Sequence, residues 1–300
     1  MRIVYDQPFG SDVTWTIQGG EFIGDPDDLC NGNPASACRV KWHADSSGSP
    51  GSLVLIGSFT ARAVGAAAFL SPRFSTENVI PEGVKIDVSG KLTGSPVALG
   101  GNALNMRTVT HPNGATRRPW VFSAHSIDQI IITIHNDKNG SPFATVDGLY
   151  DIGEIVFGKT ADYGVKQNVK ISLQGGLLQR KGHQNQNSPF AIKAYQAPAF
   201  NITPMTEVEA IGPRADQADF QTLMYAFTEE DRVALIPTYL RRNNDSSTRH
   251  GPPSTIDAST ISEQRLCRTF MIGNLDAAIE LDGDDNEYYV SPIAFGESPP

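Results

Sequence analysis

Most apolar segments of this chain run for only four to eight residues, are rich in Val, Ile, Phe and Thr, and are fenced by Gly, Pro, Asn or Asp. That length and punctuation specify strands, because an amphipathic helix needs an apolar stripe repeating over ten residues or more. "SDVTWTI" at 11–17 alternates Val13, Trp15 and Ile17 with Asp12, Thr14 and Thr16, the pattern of a half-buried strand. "SLVLIGSF" at 52–59 is almost continuously apolar and is expected to be covered on both faces. "GVKIDVSGKL" at 83–92 turns Val84, Ile86 and Val88 inward and Lys85 and Asp87 outward. The stretch "IIITIHNDKNGSPFATVDGLYDIGEIVFG", 130–158, places Ile130, Ile132 and Ile134 on one face. It passes through the turn chemistry of "DKNGSP" and resumes with Ile152, Ile155 and Phe157, Gly153 marking a bulge or close backbone approach. It reads as the closing strand pair of a β-sandwich.

After Gly158 the alternation weakens and amide-rich residues take over, as in a connector crossing a surface. One amphipathic helix follows in "ADQADFQTLMYAFTEED", with Phe220, Leu223, Met224 and Phe227 on its core face, Asp216 able to cap its start and Asp219 in its first turn. "RVALIPTYL" at 232–240 is an apolar strand that Pro237 places at an edge or bend. The expected fold is therefore mainly β. It comprises an N-terminal, jelly-roll-like sandwich over 1–158, an extended connector over 159–213, and a smaller α+β unit over 214–300. That unit would hold one amphipathic helix, a short antiparallel sheet and a long polar loop at 241–265.

Composition narrows the function classes. Lysine and arginine total 24 against 33 acidic residues, a net charge of −9 that argues against general binding to nucleic acid or anionic membrane. The longest apolar stretch, Leu53 to Leu70, is interrupted by Ser58, Thr60 and Arg62 and is too polar for a membrane span. "MRIVYDQPFG" has Pro8 and Gly10 where a signal peptide needs its apolar run, so folding in a cytoplasm is expected. Cys30, Cys38 and Cys267 match neither zinc spacing nor a disulfide framework and read as reduced thiols.

Motifs for chemistry are sparse. His43, His111, His125, His135, His183 and His250 are dispersed, with no HExxH or HxH pair. "LDGDDNEYY", with Asp282, Asp284, Asp285 and Glu287, lacks the EF-hand glycine and glutamate and reads as a solvated hairpin tip. There is no GxSxG elbow, phosphate loop or GxGxxG. No catalytic residue, cofactor or metal site is expected. Trp15 belongs to a core face, whereas Trp42 in "RVKWHAD" is the tryptophan most suited to exposed stacking. The pairs Arg117–Arg118 and Arg241–Arg242 flank turns. Arg241, Arg242, Arg249 and Trp42 are the expected partner contacts.

The segments "ARAVGAAAFLSP", "PEGVKIDVSG", "IDQIIITIHN" with "YDIGEIVFG", and then the helix, "ALIPTYL" and "FMIGNL" come in an order that resembles tail-tip or baseplate proteins of long-tailed bacteriophages. The resemblance carries no functional residue over. It implies a virion structural role: a ring or collar between tail tube or tape measure and the central hub or fibres, assembled in the host cytoplasm. Its partners would be other tail-tip proteins and copies of itself, engaged through loops 25–50, 176–198 and 241–265. The alternatives are a carbohydrate-binding β-sandwich module and a hydrolase using a carboxylate pair.

Overall fold

The computed structural model describes residues 2–33, 36–70, 78–81, 84–97, 99, 117–138, 140–163, 170–174, 177–181, 187–191, 195–200, 205–212, 218–228, 233–236, 270–276, 279–282, 287–290 and 293–297. The chain is mainly β and forms two compact units, one of residues 1–162 with 231–271 and one of residues 163–230 with 272–299.

In chain order, the first unit contains β1 (Arg2–Tyr5), β2 (Thr14–Gln18), β3 (Gly20–Phe22), β4 (Cys38–Trp42), β5 (Leu53–Leu70), β6 (Val84–Leu92), β7 (Ser95–Val97), β8 (Arg117–Lys138), β9 (Leu149–Ile152) and β10 (Ile155–Asp162). The organising strand is β5. One of its edges pairs along its length with β8, and β6 lies beyond β8. Its other edge pairs first with β2, through Thr14–Gln18, and then with β10, through Ile155–Gly158. A separate antiparallel sheet is formed by β3, β4 and β9. Trp15, Leu53, Leu55, Ile130, Ile132 and Ile134 of the large sheet share one core with Val40, Trp42 and Ile152 of the small one, which makes the unit a β-sandwich. Gly57 makes room for the Trp15 indole: a Cβ there would lie 2.9 Å from its ring.

Three local expectations change. The two strands of the 130–158 stretch do not pair with each other, because β8 and β10 flank β5 on opposite sides. The long central strand offers both edges, and the chain visits β9 in the other sheet between them. Second, 53–59 alternates buried and half-buried residues, and the doubly covered part of β5 is 64–70 instead. There Ala67 and Phe69 enter the sandwich core, while Ala66, Ala68 and Leu70 meet Val4, Val156, Ala234 and Ile236 on the other side. Third, the 25–50 segment is not a free arm: it holds a 3-10 turn at Pro26–Leu29 and β4, whose Cys38, Val40 and Trp42 all point into the core.

The strand Val233–Ile236 ends just before Pro237 and pairs with β1, within the first unit. In the second unit, Lys170–Gln174 and Tyr195–Phe200 pair, Tyr195–Phe200 continues onto Ile293–Glu297, and that strand onto Phe270–Asp276. Hairpins join Leu177–Lys181 to Asn187–Ala191 and Ile279–Asp282 to Glu287–Val290. Strands thus occur inside the segment expected as a connector, since backbone pairing needs no apolar alternation. The expected helix spans Phe220–Thr228, with Phe220 and Leu223 buried and Met224 half-buried; the Phe227 side chain lies outside the described residues. It starts later than the sequence suggests. Asp219 caps it, accepting from Thr222 N at 2.8 Å and Thr222 Oγ1 at 2.8 Å, and Asp216 lies outside the described residues. Among the described residues no helix is long and apolar enough to cross a membrane.

Cys30 and Cys38 are buried free thiols, and Cys267 lies outside the described residues. Burial pushes the Cys30 thiol up to about 11, against a smaller opposing effect of the Trp15 indole N–H, which donates to its sulfur at 3.3 Å. Burial, reinforced by Asp28, pushes Cys38 to about 12. The fold therefore favours the neutral thiols. Stability is expected to be lost as pH rises above the ordinary thiol value of 9.0 toward those folded values. At pH 8 a thiol reagent should leave both cysteines unmodified in the native protein and label them in denaturant, read by peptide mass spectrometry; native labelling at either would contradict the burial.

Candidate functional site

The best-built surface of the first unit lies where the small sheet meets loops 43–52 and 140–148. Alternation along β4 turns Val40 and Trp42 inward and Arg39 and Lys41 outward. Opposite them, β3 contributes Glu21, paired across from Lys41, and β9 contributes Leu149 and Asp151. On this outer face the Lys41 ammonium stands between two carboxylates, 3.4 Å from Glu21 Oε1 and 3.1 Å from Asp147 Oδ1. His43 Nε2 is 3.6 Å from the same Glu21 oxygen. Hydrogen bonds from Lys41 to Asp147 and Glu21 hold its ammonium above the ordinary lysine value. Arg39 donates twice to Asp151, Nε to Oδ1 at 2.7 Å and Nη2 to Oδ2 at 2.9 Å. Leu149 and Val146 add apolar surface, 41% and 43% exposed.

The loops beneath this face are pinned. Trp42 is fully buried, meets Phe143 and Tyr150 edge-on at 5.4 and 5.5 Å, and donates from Nε1 to Gly51 O at 2.9 Å. Its backbone exchanges hydrogen bonds with the second loop: Trp42 N to Gly148 O and Asp147 N to Trp42 O. Asn136 ties both loops to β8, donating to Pro50 O at 2.8 Å and accepting from Phe143 N and Ala144 N at 2.9 and 2.8 Å. In the first loop Asp45 accepts from Ser47 Oγ and Ser47 N, which holds its carboxyl below the usual range. Gly19, at φ +77, carries the chain from β2 into β3, and a Cβ there would collide with Ser52 O at 2.3 Å.

Trp42 is thus corrected as an expected contact residue: it supports the surface from below and offers no ring to a ligand. The alternation of Cys38, Val40 and Trp42 around Arg39 and Lys41 was the signal in the sequence that would have shown it. Arg241, Arg242 and Arg249, with the loop 241–265, lie outside the described residues. Glu21, Lys41, His43 and Asp147 had no local motif to mark them; sheet register and loop closure bring them together. Among the described residues, no group of three or more His, Cys, Asp or Glu side chains is gathered as a metal site would need.

No family model and no curated protein sequence matches the chain. Solved structures do match. The C-terminal domain of a chitobiase from Bacteroides fragilis is 18% identical, covering 52% of this chain and all of that one, with a TM-score of 0.37. A family 32 carbohydrate-binding module from the C. perfringens protein NanJ, solved with galactose, is 18% identical over 52% of this chain and 98% of its own, with a TM-score of 0.34. A further Clostridium perfringens module, solved with GalNAc-β-1,3-galactose, is 8% identical over 51% and 99%, with a TM-score of 0.33. The tail-tip expectation is corrected: of the three matched structures named here two are carbohydrate-binding modules, and none is a phage tail protein. The order of apolar segments behind that expectation is shared by many β-sandwiches, because it encodes strand succession and not a binding surface.

Proposed function

We propose that the first unit is a carbohydrate-binding module whose ligand lies on the outer face of the small sheet, across Glu21, Lys41, His43 and Asp147. The observation that carries this reading is the acceptor–donor–acceptor row of Glu21, Lys41 and Asp147, mounted on paired strands above the buried Trp42. A sugar hydroxyl both donates and accepts, so neighbouring hydroxyls can bridge carboxylate and ammonium in turn. Leu149 and Val146 would cover an apolar ring face beside the row. Pinned loops lower the ordering cost of binding.

The test is glycan-array screening of the full chain followed by calorimetry, with galactose and GalNAc-β-1,3-galactose among the first probes. Lys41→Ala is expected to weaken the best ligand by roughly tenfold or more, since it removes a charged hydrogen-bond donor. Absence of any bound glycan would overturn the function, and unchanged affinity in Lys41→Ala would overturn the placement.

A further inference from the structure

A second arrangement lies on a different surface, the outer face of the large sheet. We propose that Ser52, His135 and Asp87 form a nucleophilic relay there, able to take up an acyl group from an ester with a short apolar acyl chain. Three neighbouring strands supply it: Ser52 directly precedes β5, His135 is on β8 and Asp87 on β6, with Leu53 and Ile86 both paired to Ile134. Asp87 Oδ2 lies 2.5 Å from His135 Nε2. That contact places the ring proton on Nε2 and leaves the Nδ1 lone pair toward Ser52 Oγ, 3.4 Å away. The separation is longer than a tight hydrogen bond and belongs to the range seen at nucleophile–base pairs before substrate binds. Lys85 Nζ stands 3.5 Å from the same Asp87 oxygen.

Two features go beyond a surface row of polar residues. The backbone leading into Ser52 is fixed from two sides, with Pro50 O held by Asn136 and Gly51 O by the Trp42 indole. An apolar strip also runs from the nucleophile along the same face. Val54 and Ile56 share the outward parity of Ser52, Ile131 that of His135, Ile56 pairs with Ile131, and all three are half-buried. An acyl chain laid on this strip would bring its carbonyl to Ser52.

The chemistry balances without a further reagent. Ser52 Oγ bonds to the carbonyl carbon as its proton passes to His135 Nδ1, and His135 hands that proton to the leaving oxygen as its bond to the carbonyl carbon breaks and the alcohol departs. Water then attacks the acyl-serine, giving one proton to the freed His135 Nδ1, which passes it to Ser52 Oγ as the acyl–serine bond breaks and the acid is released. Asp87 is a positioning residue that holds the imidazole tautomer.

The full chain would be treated with p-nitrophenyl butyrate and, separately, with a fluorophosphonate, and adducts mapped by peptide mass spectrometry. An adduct on Ser52 is expected, forming about 100-fold more slowly in His135→Ala. Asp87→Asn should also slow it, because the amide presents a donor to Nε2 and drives the ring proton to Nδ1. Asp87→Glu should restore part of the rate while the thermal midpoints of all variants stay close to that of the unaltered chain. Absence of a Ser52 adduct, or a rate indifferent to His135→Ala, would overturn the proposal.

Discussion

Trp42→Ala is expected to destabilise the first unit by about 3–5 kcal/mol, the usual loss when a large buried aromatic is truncated. The indole is fully buried and sits at the centre of an aromatic cluster in which Phe143 and Tyr150 also meet edge-on, at 5.6 Å. Its removal leaves a cavity between the small sheet and loops 43–52 and 140–148, and leaves Gly51 O without the indole donor. Trp42→Phe separates the two contributions. It keeps a ring in the cluster and loses the hydrogen bond, so a smaller deficit is expected, about 1–3 kcal/mol from the unsatisfied carbonyl and reduced volume. Equilibrium denaturation followed by tryptophan-independent circular dichroism measures both. A Trp42→Ala deficit below about 1 kcal/mol would mean that the cluster does not support the sandwich. Any loss of glycan binding in this variant must be judged against that instability, which is why Lys41→Ala is the better probe of the surface.

Arg2→Ala is expected to cost about 2–3 kcal/mol, below the range for a fully buried ion pair because Asp162 is one-third exposed and can regain water, while two buried carbonyls lose their donor. Arg2 lies on β1 and its side chain is 10% exposed. It forms a bidentate pair with Asp162 at the end of β10, at 2.8 and 2.6 Å. Nη1 also reaches Gly65 O on β5 and Phe122 O on β8, at 2.9 and 2.8 Å. One guanidinium thus joins four strands just where β5 is covered on both faces. Arg2→Lys should recover only a small part of the loss, because an ammonium cannot reproduce the planar fork that meets a carboxylate and two carbonyls together. Full recovery by lysine would show that charge alone matters at this position.

Strand content, the inward positions of Trp15, Ile130, Ile132 and Ile134, and the existence of a helix bearing Phe220 and Leu223 were all legible in the sequence. Each depends on a local period, two residues for a strand and 3.6 for a helix, and a local period survives in one dimension. Even Trp42 belongs to this class, since the alternation from Cys38 to Trp42 states its direction. The pairing of β5 with β2, β8 and β10 was decided by the tertiary structure, because apolar strands of similar character can pair in many orders and only shared burial selects one. So was the doubly covered run of alanines at 66–68, which depends on what lies on the far side. The candidate surfaces belong wholly to this second class. Glu21, Lys41 and Asp147, like Ser52, Asp87 and His135, are far apart in the chain and carry no common motif, and register and loop closure alone bring their polar atoms within reach of each other.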